Sequence, residues 1–155
     1  MRRSDKEIKD IDTIELILKE ALICRVGLCE NNKPYIVPMN FGFKDNCLYL
    51  HSARDGRKIE ILKANNNVCF EVDVKTELVT SKNACNWGMK YYSVIGFGKA
   101  QFIEDINEKK KILDIIMQKY SGNDAQSFEY SQSSLDKTAV IKIKIGEITG
   151  KKSGY

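Results

Sequence analysis

Residues 22–52 read Leu-Ile-Cys-Arg-Val-Gly-Leu-Cys-Glu-Asn-Asn-Lys-Pro-Tyr-Ile-Val-Pro-Met-Asn-Phe-Gly-Phe-Lys-Asp-Asn-Cys-Leu-Tyr-Leu-His-Ser, and this stretch decides the fold. Two polar breaks divide it into apolar runs. Glu30-Asn31-Asn32-Lys33 has the chemistry of a hairpin turn, and Lys44-Asp45-Asn46 is a second turn. The runs between them predict strands over Leu22–Cys29, Tyr35–Phe43 and Cys47–Ser52. In the second, Tyr35, Val37, Met39 and Phe41 share one face. Three strands joined by tight turns make an antiparallel meander.

Upstream, Ile14, Leu16, Ile17 and Leu18 predict an amphipathic helix over Thr13–Glu20. Downstream, a short helix fits Gly56–Ala64, with Ile59, Leu62 and Ile61 inward, and Asn65-Asn66-Asn67 ends it. A strand is expected over Val68–Val74, then an irregular polar stretch from Lys75 to Met89. A long strand over Tyr91–Ile103 carries Gly96 and Gly98, a sign of bending or close approach of another group. Asp105 with Glu108 resembles a capping box, followed by a helical stripe of Leu113, Ile116, Met117 and Tyr120. Ser121–Asp136 reads as a loop or broken helix. The last strand, Thr138–Ile148, puts Ala139, Ile141, Ile143 and Ile145 inward and Lys142 and Lys144 outward. Six strands, mostly hairpin-joined, predict a mainly-β antiparallel barrel with helices at its ends and exclude a doubly wound sheet.

The 155 residues suit a single domain over 1–155. With 43% hydrophobic and 30% charged residues, the chain can build a core. No apolar run approaches the roughly 20 residues of a membrane-spanning helix, so no membrane partner is expected. The formal net charge of +4 is well short of a nucleic-acid binder's. A local basic cluster of Arg54, Arg57 and Lys58 suits a small anionic ligand instead. Five cysteines, an odd count, and a charged start with no apolar stretch after it read as the reduced thiols of a cytoplasmic protein. The chain has one histidine and no Cys-x-x-Cys pair, so no metal site is expected.

Three segments carry candidate chemistry. Pro38, within Tyr35–Asn40, removes a ladder donor and assigns that strand to an edge or a bulge; on its own this reads more readily as a plain edge than as a ligand site. The segment His51-Ser52-Ala53-Arg54-Asp55-Gly56-Arg57-Lys58 ends a strand and opens a helix with two cations. A helix start with free N–H groups suits a phosphate, and Arg57 and Lys58 add charge. Asp55 could cap the helix itself, which leaves a solvated basic helix start as an equal alternative. Trp87-Gly88-Met89-Lys90-Tyr91-Tyr92-Ser93 could cover a planar ring or simply pack at a strand start. His51 has no serine–carboxylate partners at triad spacing, and Gly96-Phe97-Gly98 lacks a third glycine and a following helix, so neither a triad nor a dinucleotide fingerprint is supported.

Taken in order, the segments resemble the nitroimidazole-resistance (Nim) branch of the pyridoxamine 5′-phosphate oxidase-like flavoproteins. The resemblance runs through Met1-Arg2-Arg3, Cys24-Arg25-Val26, 34–42, His51–Leu62, 68–73, 93–100 and Ile148-Thr149-Gly150-Lys151-Lys152. It implies a split β-barrel that binds FMN as a homodimer, with flavins at the subunit interface. It implies that the strand Tyr35–Asn40, with Val37, Pro38, Met39 and Asn40 as its cofactor-binding candidates, lies along the flavin ring and ribityl chain. His51, Ser52 and Ala53 would touch it from the neighbouring strand end, and Arg57 and Lys58 would hold the phosphate. Trp87, Tyr92 and Ser93 are the remaining cofactor-binding candidates, with Ser93 reaching the flavin from the other subunit. His51, near the reactive face, is the catalytic candidate. The oxidase's arginine-rich strand and C-terminal tryptophan–arginine motif are missing, which points away from pyridoxamine phosphate as substrate; the resemblance to the Nim branch implies a reductase of small aromatic or nitro compounds. The alternative is a non-catalytic module that holds haem or a deazaflavin, or senses flavin.

Overall fold

A computed structural model of the chain describes residues 3–122 and 127–155. Its strands are β1 (Glu7–Ile8), β2 (Cys24–Glu30), β3 (Lys33–Met39), β4 (Phe41–Lys44), β5 (Cys47–Ala53), β6 (Asn67–Val79), β7 (Gly88–Ile103) and β8 (Thr138–Ser153). Its helices are α1 (Ile11–Glu20), α2 (Arg57–Ala64), α3 (Ile106–Ser121) and α4 (Gln132–Lys137). The strands form one antiparallel sheet in the order β3-β2-β6-β7-β8-β5-β4, with β1 added to β8.

The two expected turns are two-residue loops. Asn31 and Asn32 have φ of 49° and 62°, and Asp45 and Asn46 have 51° and 54°, the paired left-handed residues that match a hairpin's twist. Among the described residues the strand count is eight rather than six. The predicted Tyr35–Phe43 strand breaks at Asn40 into β3 and β4, and Glu7–Ile8 is too short to show a period. The sheet is open: its two end strands, β3 and β4, are consecutive in the chain and joined only through Asn40. This makes a split barrel. β3 is an end strand paired without a bulge to β2, so Pro38 sits where a missing donor costs least.

The polar sequence of Lys75–Met89 predicts an irregular stretch. Instead β6 continues to Val79 and β7 begins at Gly88, with a bulge between Val74 and Glu77 where Lys75 takes φ of 53°. Polar residues hide the strand because this arm leaves the core: Leu78 and Met89 pair across it and are both exposed. Residues 123–126 of the expected Ser121–Asp136 loop, and Met1 and Arg2, lie outside the described residues. The end of that loop is α4, capped by Ser131. Asp105 caps α3 by accepting from the Glu108 N–H, as expected. The buried stripe of α3 includes Ile112, Leu113 and Ile116; Met117 faces solvent instead.

Two apolar layers share the sheet. The barrel interior gathers Leu18, Val26, Phe41, Leu48, Phe70 and Ile141, all within 1% of full burial. A smaller layer of Cys47, Tyr49, Ile112, Ile116, Leu135 and Val140 lies outside, under α3 and α4. Because β5 and β8 are covered on both faces, Cys47–Leu50 and Ala139–Ile141 are continuously buried and show no alternation there. Gly96 and Gly98 answer to close approach. A Cβ at Gly96 would overlap the Phe70 ring, and one at Gly98 would overlap the Lys144 carbonyl oxygen.

Candidate functional site

The split creates the site. β4 pairs with β5 only from Lys44↔Cys47 to Phe41↔Leu50. At Asn40 the chain turns away into β3, so His51, Ser52 and Ala53 remain hydrogen-bonded to β8 but have no β4 partner. Across the gap, β3 pairs with β2 along one edge only. Two open strand edges therefore face a groove of about 610 Å³, closed at one end by the start of α2. This is the volume range of small-molecule sites.

The start of α2 is shaped for an anion. Gly56 is its N-cap, with φ of 97°, and no side chain caps it. The Asp55 carboxylate lines the groove without capping the helix. The Ile59 and Glu60 N–H groups bond the Gly56 carbonyl, whereas Arg57 and Lys58 are too early in the helix to have intrahelical acceptors. Arg57 spans the gap: its guanidinium lies 4.7 Å over the Tyr35 ring of β3, with Nη2 3.8 Å from Glu30 Oε2. Lys58 is half-buried, and burial lowers its ammonium pKa. Among the described residues it forms no ion pair.

Six of the predicted residues come together here: Val37, His51, Ser52, Ala53, Arg57 and Lys58. His51 is solvent-accessible, yet its imidazole pKa falls below the usual value, first through partial desolvation and then through the charge of Lys58. It is therefore neutral at pH 7, with one ring nitrogen able to donate and the other to accept.

The other six lie elsewhere in the chain. Met39 is buried in the barrel, Asn40 is the exposed corner between β3 and β4, and Pro38 faces the outside of the sheet. Trp87 is on the β6–β7 arm, donating from Nε1 to the Ser81 carbonyl. Tyr92 stacks on Tyr155 at 4.7 Å between ring centroids. Ser93 is on the outer face of β7, opposite Asp73 and Lys151. Arg54 leaves the basic cluster altogether, because its guanidinium donates to Glu104 at 3.0 Å and to the Asp136 carbonyl at 3.3 Å.

The sequence gives no sign of Lys137 and Thr138 as lining residues. Tyr35 begins the strand that the resemblance lays along the flavin, and it lines the groove with Val37. Lys137 and Thr138 reach the groove through the β5–β8 pairing, which places Ala53 opposite Thr138. Only knowledge of that long-range register would have revealed them.

An open antiparallel sheet with a groove between its free edges defines a split-barrel protein. The family model "Pyridoxamine 5′-phosphate oxidase" matches residues 10–152, and the chain belongs to that family. It is similar to the crystal structure of a candidate 5-nitroimidazole antibiotic resistance protein from Bacteroides thetaiotaomicron. That match has 41% identity and a TM-score of 0.83 and covers 94% of this chain and 86% of the other. The fold is shared with the flavocytochrome Anf3 from Azotobacter vinelandii, at 23% identity and a TM-score of 0.84, covering 100% and 72% of the two chains. It is also shared with an FAD and haem binding protein from Mycobacterium smegmatis, at 20% identity and 0.87, covering 97% and 74%. No curated protein matches the sequence. Among the described residues no cluster of three or more metal-ligating side chains occurs, and no helix is long and apolar enough to cross a membrane.

Proposed function

We propose that the groove binds FMN, with the phosphate at the α2 start and the ring system along the open edges of β3 and β5. The observation that carries this reading is the convergence of Arg57, Lys58 and an uncapped helix start on one groove with Val37, His51 and Ser52. A phosphate there meets free backbone donors, a planar guanidinium and an ammonium. The guanidinium is already held in place by its stack on Tyr35. The unpaired edges of β3 and of His51–Ala53 offer backbone groups to the polar rim of a flat ring, while Val37 supplies apolar contact.

When bound, a flavin supplies electron transfer between a donor and an acceptor. The chain's own contribution is binding and orientation. His51, neutral at pH 7, donates a hydrogen bond from one ring nitrogen to an acceptor oxygen of a small aromatic or nitro substrate and can hold a proton there. The similarity to a nitroimidazole-resistance protein supports that substrate class. The functional unit is a homodimer. The outer face of the sheet carries a row Ile36–Gly27–Cys69–Phe97 across β3, β2, β6 and β7, with Ile36 66% and Phe97 51% exposed. Apolar surface of this kind is normally covered. Ser93 stands on the same face, which fits the expectation that it reaches the flavin of the other subunit.

The test is a fluorescence titration with FMN and riboflavin. The wild type should take up FMN more tightly than riboflavin. The double variant Arg57→Ala, Lys58→Ala should lose about 100-fold in FMN affinity, as expected for two charge-assisted contacts, and keep its riboflavin affinity. A wild type that ignores FMN overturns the proposal. A haem absorption band lost in His51→Ala would replace it with the haem-binding alternative.

A further inference from the structure

The α2 start is only one wall of the groove's charged end. The opposite wall is the junction of α4 and β8, where Lys137 and Thr138 line the same space. Lys137 is exposed and, among the described residues, forms no ion pair. It adds a third cation to Arg57 and Lys58, against the single carboxylate of Asp55.

The junction is tied down from behind. Glu104, just after β7, accepts from Arg54 Nη2 at 3.0 Å and lies 3.7 Å from Lys109 Nζ. The same two cations also hold the junction's backbone. Arg54 donates to the Asp136 carbonyl at 3.3 Å, and Lys109 donates to the Thr138 carbonyl at 3.5 Å. The carbonyls on either side of Lys137 are thus both bonded to cations that Glu104 bridges. Lys109 is 4% exposed, a buried ammonium that needs these partners. The arrangement spends a buried lysine and an arginine on fixing a short exposed segment that lines the groove.

We infer that Lys137 is a third ligand for the anionic end of the bound molecule, and that the Arg54–Glu104–Lys109 cluster is a positioning device that holds it there. The inference rests on the proposed phosphate-bearing ligand and deepens it. Three cations on two walls clamp a phosphate from both sides, whereas Arg57 and Lys58 alone hold it from one. Lys137 then discriminates phosphorylated from unphosphorylated ligands and contributes little to the flat part.

The experiment compares wild type, Lys137→Ala, Lys137→Arg and Glu104→Gln in FMN and riboflavin titrations at low and high salt, with thermal melts of each. Lys137→Ala should weaken FMN about fivefold at low salt, less at high salt, and leave riboflavin unchanged. Lys137→Arg should restore FMN binding. Glu104→Gln should weaken FMN in the same direction by a smaller factor. Glu104→Gln removes the carboxylate beside the buried Lys109 ammonium, so Arg54→Gln, which breaks the cluster from its other side, is the second variant should the melt shift. Three results are adverse, and they are distinguishable. Wild-type FMN preference unchanged in Lys137→Ala overturns the inference and leaves the flavin reading intact. A loss in Lys137→Ala that neither Glu104→Gln nor Arg54→Gln reproduces overturns the positioning role. A wild type without preference for FMN over riboflavin overturns both readings.

Discussion

The two ends of β5 share one partner strand and differ in everything else. All seven residues pair with β8. Cys47, Leu48, Tyr49 and Leu50 are buried, whereas His51 and Ala53 are exposed and Ser52 is half-buried. The first four have β4 on their other edge and α3 against their outer face. The last three have lost β4, because the chain leaves for β3 at Asn40. The ladder to β8 is therefore not what separates core from site; coverage of the second edge is. A strand can be rigid along one edge and offer free backbone donors and acceptors along the other, and that combination suits a ligand groove.

The comparison breaks most directly by truncation at each end. Leu50→Ala removes a side chain packed inside the barrel and should cost about 2–5 kcal/mol of unfolding free energy. The Ser52 hydroxyl, two residues on, makes no side-chain hydrogen bond among the described residues, and Ser52→Ala should stay within about 0.5 kcal/mol. Urea unfolding of both variants measures the ratio. Equal losses would mean that the groove end is structural core.

A second pair contrasts the closed barrel with the open arm of the same strand. Gly96→Ala drives a methyl into the Phe70 ring and should cost about 1–3 kcal/mol. At Gly88, a Cβ meets nothing within 4 Å. Gly88→Ala should therefore unfold at nearly the wild-type urea concentration. A neutral Gly96→Ala would show that the ring has room to move and that bending, not close approach, explains the glycine.

Much of this was legible in the sequence, and the exceptions have a common cause. Asn31-Asn32 and Asp45-Asn46 announced their turns because left-handed backbone narrows the residue choice. Asp105 and Glu108 announced a helix start through local hydrogen bonding. The groove's nearer wall was legible for the same reason: His51 to Lys58 is contiguous, so one strand end and one helix start place it. The break at Asn40, the burial of Val140 and the arrival of Lys137 at the groove depend on which distant strand lies alongside. No local signal encodes that. Pro38 marked an edge correctly, but an edge by itself does not say which side chains the open side recruits. The resemblance reached Arg57 and Lys58 through their motif and had nothing to offer on Lys137.

Titration sharpens the comparison further. Lys119 belongs to the closed end: its Nζ lies 3.4 Å from the Phe41 ring centroid and donates to the Leu18 carbonyl at 2.7 Å. Burial draws its pKa down to about 8 from 10.5. Below pH 8 the ammonium is charged in both folded and unfolded chains, and the full burial penalty applies. Between pH 8 and 10.5 the unfolded chain binds more protons, so stability rises with pH. Relative to Lys119→Met, the wild type should gain about 1 kcal/mol across that window once solvent screening of a half-buried amine is allowed for. Parallel pH profiles of the two proteins would place the amine in solvent instead.

His51 is the open-end counterpart, and its effect should be the smallest. Its pKa is lowered in the same sense, by partial desolvation and by Lys58. The unfolded imidazole protonates first as pH falls through 6.5, so the folded state loses stability from there down to its own lower pKa. His51→Gln should flatten this acid-side slope while leaving stability at pH 8 unchanged. The change should be smaller than that of Lys119 because His51 is exposed whereas Lys119 is half-buried. Lys58→Met should flatten the slope in part, since it removes the second cause and leaves the first. If Lys58→Met leaves the slope untouched, the two side chains do not share the groove electrostatically, and the charged end lies farther from the open edge of β5 than the geometry places it.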